Sequence, residues 1–253
     1  MIESKLSLAN PPIVEMVLDF ECDLAPGQTL AALEGPARQR FEDSYPSFQT
    51  QFVQEYKFES SPQLPPNSSI QHRIAAWQFW DVSGKQLLQV RDQGFSFNRL
   101  APYTSLDDYL PEVERVWRLY VDLALPTQIR LIRLRYINRI LLPAETNRVE
   151  LDDYFAVGPR LPDEKKLEFV GFLNQHAAIE IETGHQINIV LTGQAREGNN
   201  LPVIFDNCVT STERGEPDNW PWILAKIQAL RNLKNYIFEK TLTKACLNLF
   251  QKE

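Results

Sequence analysis

The sequence predicts an α+β protein in which two related halves, residues 1–126 and 127–253, form one curved antiparallel sheet backed by helices on one face. Two patterns lead to this prediction. Several segments alternate apolar and polar side chains as strands do, and others repeat apolar residues at helical spacing. The order of these segments also recurs in the second half, which indicates an internal structural duplication. The helices suffice to cover only one face of such a sheet.

The first half begins with a strand over residues 13–22, where apolar and acidic side chains alternate strictly. Apolar residues at helical spacing predict a helix over 30–41, which ends ahead of Pro46. Gly94 interrupts a later strand, so we expect a bulge there. The remaining elements of this half are strands over 50–58, 72–82 and 86–99, a loop over 60–69 and a helix over 105–123.

The second half repeats the order of strand, helix, three strands and helix. Its expected elements are a strand over 128–142, a short helix over 151–155, strands over 168–182, 185–195 and 201–209, and a helix over 220–250. This β-α-β-β-β-α order in each half resembles the repeat of the TATA-box-binding-protein architecture. The resemblance concerns element order and implies nothing about DNA.

Composition narrows the class of protein. A net charge of −7 disfavours general affinity for a phosphate backbone, so nucleic-acid binding is not expected. The three cysteines are far apart and lack a CxxC pair, which is typical of reduced thiols in a cytoplasmic protein. No apolar run approaches ~18 residues, and the N-terminus has no signal-peptide pattern. We therefore expect no membrane association.

The residue types that catalysis or cofactor binding requires are not grouped in this sequence. The histidines stand apart as His72, His176 and His185, so no metal site is expected. The 10 glycines are spread thinly and form no phosphate-binding loop, and no GxSxG motif is present. The prediction is therefore that the chain has no cofactor, no metal and no catalytic residues.

Arginine on the polar sides of two strands is the most informative feature. The strands are Gln89–Arg99, QVRDQGFSFNR, and Arg133–Ile140, RLRYINRI. One interpretation is a charge ladder, in which the acidic side of strand 13–22 faces these arginines across neighbouring strands. The other is a binding face for an anionic or polypeptide ligand. Its candidate residues are Arg133, Arg135, Arg139, Arg91 and Arg99.

The same region carries a family resemblance. The segments are NPPIVEMVLDFE at Asn10–Glu21, QVRDQGFSFNRLAPYTSLDDY at Gln89–Tyr109, a helix with Trp117 and Tyr120, and LRYINRI at Leu134–Ile140. Together they resemble a sporadically distributed bacterial and archaeal family of uncharacterised proteins of about this length. The resemblance implies no activity, cofactor or substrate. The patchy distribution of that family implies a defence-related or mobile-element setting.

The expected function is non-catalytic: a binding or adaptor protein that engages a partner protein or anionic ligand on the open, arginine-bearing sheet face or at a sheet edge. Alanine at Arg133 and Arg135 should then abolish partner capture with little change in melting temperature. A collapse of stability would favour the ladder. The alternative is a hydrolase or nucleic-acid-processing enzyme with a site between the halves, using a carboxylate such as Asp92 or Asp206. The amphipathic C-terminal helix fits a homodimer as well as core packing.

Overall fold

The computed structural model describes residues 8–61, 64–144, 149–163, 166–167 and 169–251, with backbone alone for 55–71. In chain order the elements are β1 (Ile13–Leu24), α1 (Leu30–Phe41), β2 (Ser47–Ser61), β3 (Leu64–Trp80), β4 (Gln86–Arg91), β5 (Gly94–Leu100), α2 (Leu106–Ala124), β6 (Pro126–Pro143), a 3-10 turn (Leu151–Asp153), β7 (Leu173–Ile179), β8 (Gln186–Gly193), β9 (Asn200–Ser211), α3 (Trp220–Thr241) and α4 (Lys244–Asn248).

The described strands form a single nine-stranded sheet in the order β2-β3-β4-β5-β1-β6-β9-β8-β7. Each neighbouring pair is antiparallel. The opening strands of the two predicted halves, β1 and β6, lie side by side near the middle of the sheet. The α+β class and the antiparallel open sheet are therefore confirmed.

The helices pack on one face of this sheet, because the alternating side chains of the strands supply an apolar surface there. On β1 this face carries Met16, Leu18 and Phe20, which are fully buried. Phe20 stacks on Trp117 of α2 with ring centroids 4.4 Å apart. Farther along the sheet, α3 packs by its apolar side on β6 and β9. No helix in the described residues is long and apolar enough to cross a bilayer.

The predicted strand over 86–99 was wrong. Asp92 and Gln93 form a turn, so the segment is a hairpin of β4 and β5. Gly94 follows the turn instead of forming a bulge, with φ of 151°. A Cβ atom there would lie 1.9 Å from the carbonyl oxygen of Phe20, so the close approach of β1 excludes any side chain. The first half consequently has four strands after its opening strand and helix α1.

The ends of several other strands and helices also differ from the predicted ones. Most of the expected loop over 60–69 belongs to the β2–β3 hairpin, although residues 62–63 lie outside the described part. Only Ala76–Trp80 of β3 pairs with β4, so the hairpin extends beyond the sheet. The strand expected over 168–182 spans Leu173–Ile179, and its expected start, residue 168, is not described. The last helix ends at Thr241, and α4 follows as a separate short helix.

Candidate functional site

The open face of the sheet is the face opposite the helices. Its side chains form rows, since paired residues of neighbouring antiparallel strands point to the same side. The central row crosses the sheet as Ile179, Gln186, Thr210, Arg133, Asp19, Ser96, Gln89, Gln78 and Gln49. The adjacent row is Ala177, Asn188, Cys208, Arg135, Val17, Asn98, Leu87, Trp80 and Ser47. This face is polar at its centre.

Asp19 lies at the centre of the open face. Arg133 of β6 donates to Asp19 Oδ2 from Nη1 at 2.7 Å, and Arg91 of β4 donates to Asp19 Oδ1. Only 3% of Asp19 is exposed, although no helix covers this face. Burial raises the pKa of the Asp19 carboxyl, while the arginines Arg91 and Arg133 act in the opposite direction. The contact joins three strands, β4, β1 and β6, through one buried carboxylate.

The same pattern continues on both sides of Asp19. Arg135 makes a bidentate contact with Asp206 of β9, with Nε–Oδ1 at 2.9 Å and Nη2–Oδ2 at 2.5 Å. Arg139 donates to Glu197 at 2.5 Å. We call the set the arginine lattice. It comprises Arg91, Arg130, Arg133, Arg135 and Arg139 with Asp19, Glu21, Asp23, Glu197 and Asp206.

Arg99 does not lie with the other predicted site residues. It pairs with Met16, a core residue, and therefore faces the helices. Its guanidinium carbon lies 5.0 Å from the ring centroid of Tyr109, and its Nη2 donates to the Pro102 carbonyl at 3.2 Å. The structure thus brings Arg91, Arg133 and Arg135 together on the open face, places Arg139 farther along β6, and separates Arg99 from all of them.

The ion pairs that the ladder interpretation requires are present: Asp19 of β1 faces Arg133 of β6 directly. Each arginine of the lattice contacts a carboxylate, so its order needs no ligand. The two carboxylates considered for an enzyme are also paired. Asp206 accepts from Arg135, and Asp92 accepts from Arg73 at 3.0 Å. Within the described residues, no group of three His, Cys, Asp or Glu side chains is placed to hold a metal ion.

A shallow hollow of about 500 Å³ lies beside the lattice on the open face. Arg133, Asn188 and Thr210 supply polar groups to it, and Ala177 and Ile179 supply apolar surface. Ile179 is 65% exposed. The hollow adjoins β7, the last strand of the sheet order, whose outer edge pairs with no other described strand. Polar and apolar groups therefore meet there beside a strand edge.

A second concave region lies on the helix side. It is a cavity of about 290 Å³ between β6, α3 and the segment that leads into α2. Lys234, Arg231, Tyr103, Tyr136 and Asn138 line it. Lys234 is 9% exposed, and its Nζ lies 3.9 Å from the ring centroid of Tyr136. Burial, with a smaller contribution from Arg231, lowers the pKa of Lys234 to about 7.

Sequence reasoning missed this second region. The periodicity of the C-terminal helix assigns either Leu233 or Lys234 to its apolar stripe, and α3 buries both. The only available signal is a lysine four residues after Leu230 and three before Ile237, at a position where the stripe expects an apolar side chain. Tyr136 and Asn138 of β6, which line the cavity, alternate with the arginines of that strand and are buried.

Comparison of the chain with protein-family models finds no match. Comparison with curated proteins likewise finds no match.

Proposed function

We propose that the protein acts without catalysis, by binding an extended segment of a partner protein across the open face beside β7. The observation that carries the proposal is the hollow next to Arg133, where hydrogen-bonding and apolar side chains adjoin an edge of β7 that pairs with no other described strand. Such an edge offers backbone donors and acceptors to an added strand, while neighbouring side chains select its sequence.

The arginine lattice supports a polypeptide more than a small anion. Each of its guanidinium groups contacts a carboxylate, so the lattice offers little uncompensated positive charge. Arg133 and Arg135 nevertheless stay 33% and 43% exposed at their side chains. Ion pairs hold them in fixed positions, which lowers the entropy that a partner must offset on binding. They are therefore placed to donate to backbone carbonyls of a bound segment.

Replacing Ala177 with arginine tests this site without touching the lattice. Ala177 is exposed on β7 and pairs with Asn188, so the new side chain fills the hollow. We expect partner recovery to fall at least about tenfold, a loss of about 1.4 kcal/mol in binding. Stability should change by no more than about 0.5 kcal/mol, as for other surface substitutions. The measurement is quantitative mass spectrometry of proteins that co-purify with the chain from its source cells.

Ser47→Arg is the matched control. Ser47 lies in the same row of the open face as Ala177, at the opposite edge of the sheet, and it is also exposed. The same side chain is thus added to the same face away from the hollow. Recovery of the partner with Ser47→Arg and its loss with Ala177→Arg supports the proposal. Equal recovery of every co-purifying protein with both variants contradicts it.

We also propose that the two halves are copies of one ancestral unit with the element order of the TATA-box-binding-protein repeat. The sheet order supports this proposal, since the opening strand of each half pairs with the closing strand of the same half: β1 with β5, and β6 with β9. The β1–β6 pair then joins the two units. In this view β2 is an additional edge strand of the first half.

Equivalent units should tolerate exchange of their order along the chain. The amide of Asn10 donates to the Phe250 carbonyl at 3.0 Å, so the two ends of the described fold are adjacent. A circular permutant that starts at residue 127, ends at 126 and joins the original termini by a short linker should keep one cooperative unfolding transition. Circular dichroism with urea measures this. A permutant without cooperative unfolding contradicts the exchange of equivalent units.

A further inference from the structure

The cavity beside α3 lies away from the open face, and it contains a buried cation without a counter-ion. Among the described residues, no carboxylate and no hydrogen-bond acceptor contacts the Lys234 ammonium, which lies over the ring of Tyr136. Arg231, one turn earlier on α3, is different: Asp107 accepts from its Nη1 at 2.7 Å and from its Nη2 at 2.9 Å. The described residues that line the cavity include no acid.

An unsatisfied acceptor lies in the same cavity. Asn138 is 1% exposed, and its Nδ2 donates to the carbonyls of Phe205 at 3.0 Å and Tyr136 at 3.3 Å. These two bonds fix the amide, and its Oδ1 is buried without a hydrogen-bond donor from any described residue. A buried polar atom of this kind loses its hydration without gaining a hydrogen bond, which destabilises the empty cavity. The side chain lines the cavity, so a molecule inside it is placed to supply the missing donor.

The other polar side chains of the cavity are four hydroxyl residues and the amide of Asn235. Tyr103 and Tyr136 share a hydrogen bond with oxygens 2.8 Å apart. Burial raises the pKa of Tyr136 to about 12 and that of Tyr103 above its ordinary value, so both are neutral hydroxyls near pH 7. The volume of about 290 Å³ lies at the lower end of small-molecule sites, which span about 300–1,000 Å³. The cavity thus combines the Lys234 cation, hydroxyl groups, the Asn235 amide and the buried acceptor of Asn138.

We propose that this cavity binds a small organic oxyanion that also carries an O–H or N–H donor, with the anion at Lys234 and the donor at Asn138. A hydroxycarboxylate and a phosphate ester share this chemistry. An oxyanion accepts charge-assisted hydrogen bonds from the ammonium, and the low dielectric of the cavity strengthens them. The site is independent of the open face, so its failure would leave the binding proposal intact.

The experiment is thermal unfolding of the full chain at pH 6.5 with glycolate, acetate, inorganic phosphate or, at equal ionic strength, sodium chloride. We expect glycolate or phosphate to raise the melting temperature saturably, and chloride to leave it unchanged. A tenfold or greater preference for glycolate over acetate supports the donor contact and favours a hydroxycarboxylate. A tighter effect of phosphate than of glycolate favours a phosphate ester.

Lys234→Met removes the cation while keeping an unbranched side chain over Tyr136. Each variant is compared with its own anion-free melting temperature, so a change in basal stability does not confuse the result. We expect the apparent dissociation constant to rise at least tenfold in Lys234→Met and to stay unchanged in Lys240→Met, an exposed lysine of the same helix. No saturable shift with any probe, or equal shifts in Lys234→Met and the wild type, overturns the proposal.

Discussion

Asp19→Ala is expected to lower the free energy of unfolding by about 2–3 kcal/mol. The substitution leaves Arg91 and Arg133 close together on the open face without the carboxylate that they share. Breaking a fully buried ion pair costs about 3–5 kcal/mol. The cost is smaller here because the two arginine side chains are 30% and 33% exposed, so water recovers part of the lost interaction. Urea unfolding at pH 7 measures the change.

Two control variants test whether the loss of stability in Asp19→Ala comes from the buried contact with the two arginines. Asp23→Ala removes an acid that contacts Arg130 at 3.2 Å but is 43% exposed, and it should cost about 1 kcal/mol or less. A triple variant that combines Asp19→Leu, Arg91→Met and Arg133→Met should recover most of the stability. None of the three charges of this contact is then left without its partner. Equal losses in Asp19→Ala and Asp23→Ala would contradict the central role of Asp19.

Lys234→Met is expected to stabilise the protein by roughly 3–6 kcal/mol below pH 7, and by progressively less up to about pH 10.5. Lys234 has a pKa of about 7 in the folded state, below the ordinary 10.5. Between these values the unfolded chain holds a proton that the folded chain lacks, so wild-type stability rises with pH. Below pH 7 both states are protonated, and the full cost of the buried charge is present.

The quantity to measure is the difference in unfolding free energy between Lys234→Met and the wild type, from pH 6 to 10. Burial also raises the pKa of Cys22 and Cys246 to about 12, and their contribution has the opposite sign at alkaline pH. Because the wild type and Lys234→Met share these cysteines, the cysteine contribution cancels in the difference between their unfolding free energies. Lys240→Met is the matched control, because Lys240 lies 5.7 Å from the ring centroid of exposed Tyr236. A difference that stays constant with pH would contradict the account.

Much of the fold was predictable because alternation on β1 and β6 is strict. The acidic side of one strand and the arginine side of the other also indicated that they pair. Arg99 was misplaced for a physical reason. In a continuous strand, residues 91 and 99 point to the same side, but the turn at Asp92 reverses the chain and changes this relation. Arg91 therefore faces Asp19, and Arg99 faces α2.

Lys234 could not be placed from its sequence alone. A lysine beside an apolar stripe usually extends its ammonium to water. Whether it does so here depends on the ring of Tyr136 and on the segment from Pro11 to Ile13, which is distant in sequence and lines the cavity. The hollow beside β7 could not be predicted from the sequence either, since it depends on which strand lies at the edge of the sheet. The positions of both sites therefore depend on contacts between segments that are distant in sequence.

The most direct test of the proposed function is hydrogen exchange of the protein with and without the partner captured by the wild type. The account predicts slowed exchange of the outward amides of β7, because an added strand would bond to them. Protection should extend to β8 at the hollow and should be absent from β2, the opposite edge of the sheet. Protection confined to the helices or to β2 would contradict binding at the open face beside β7.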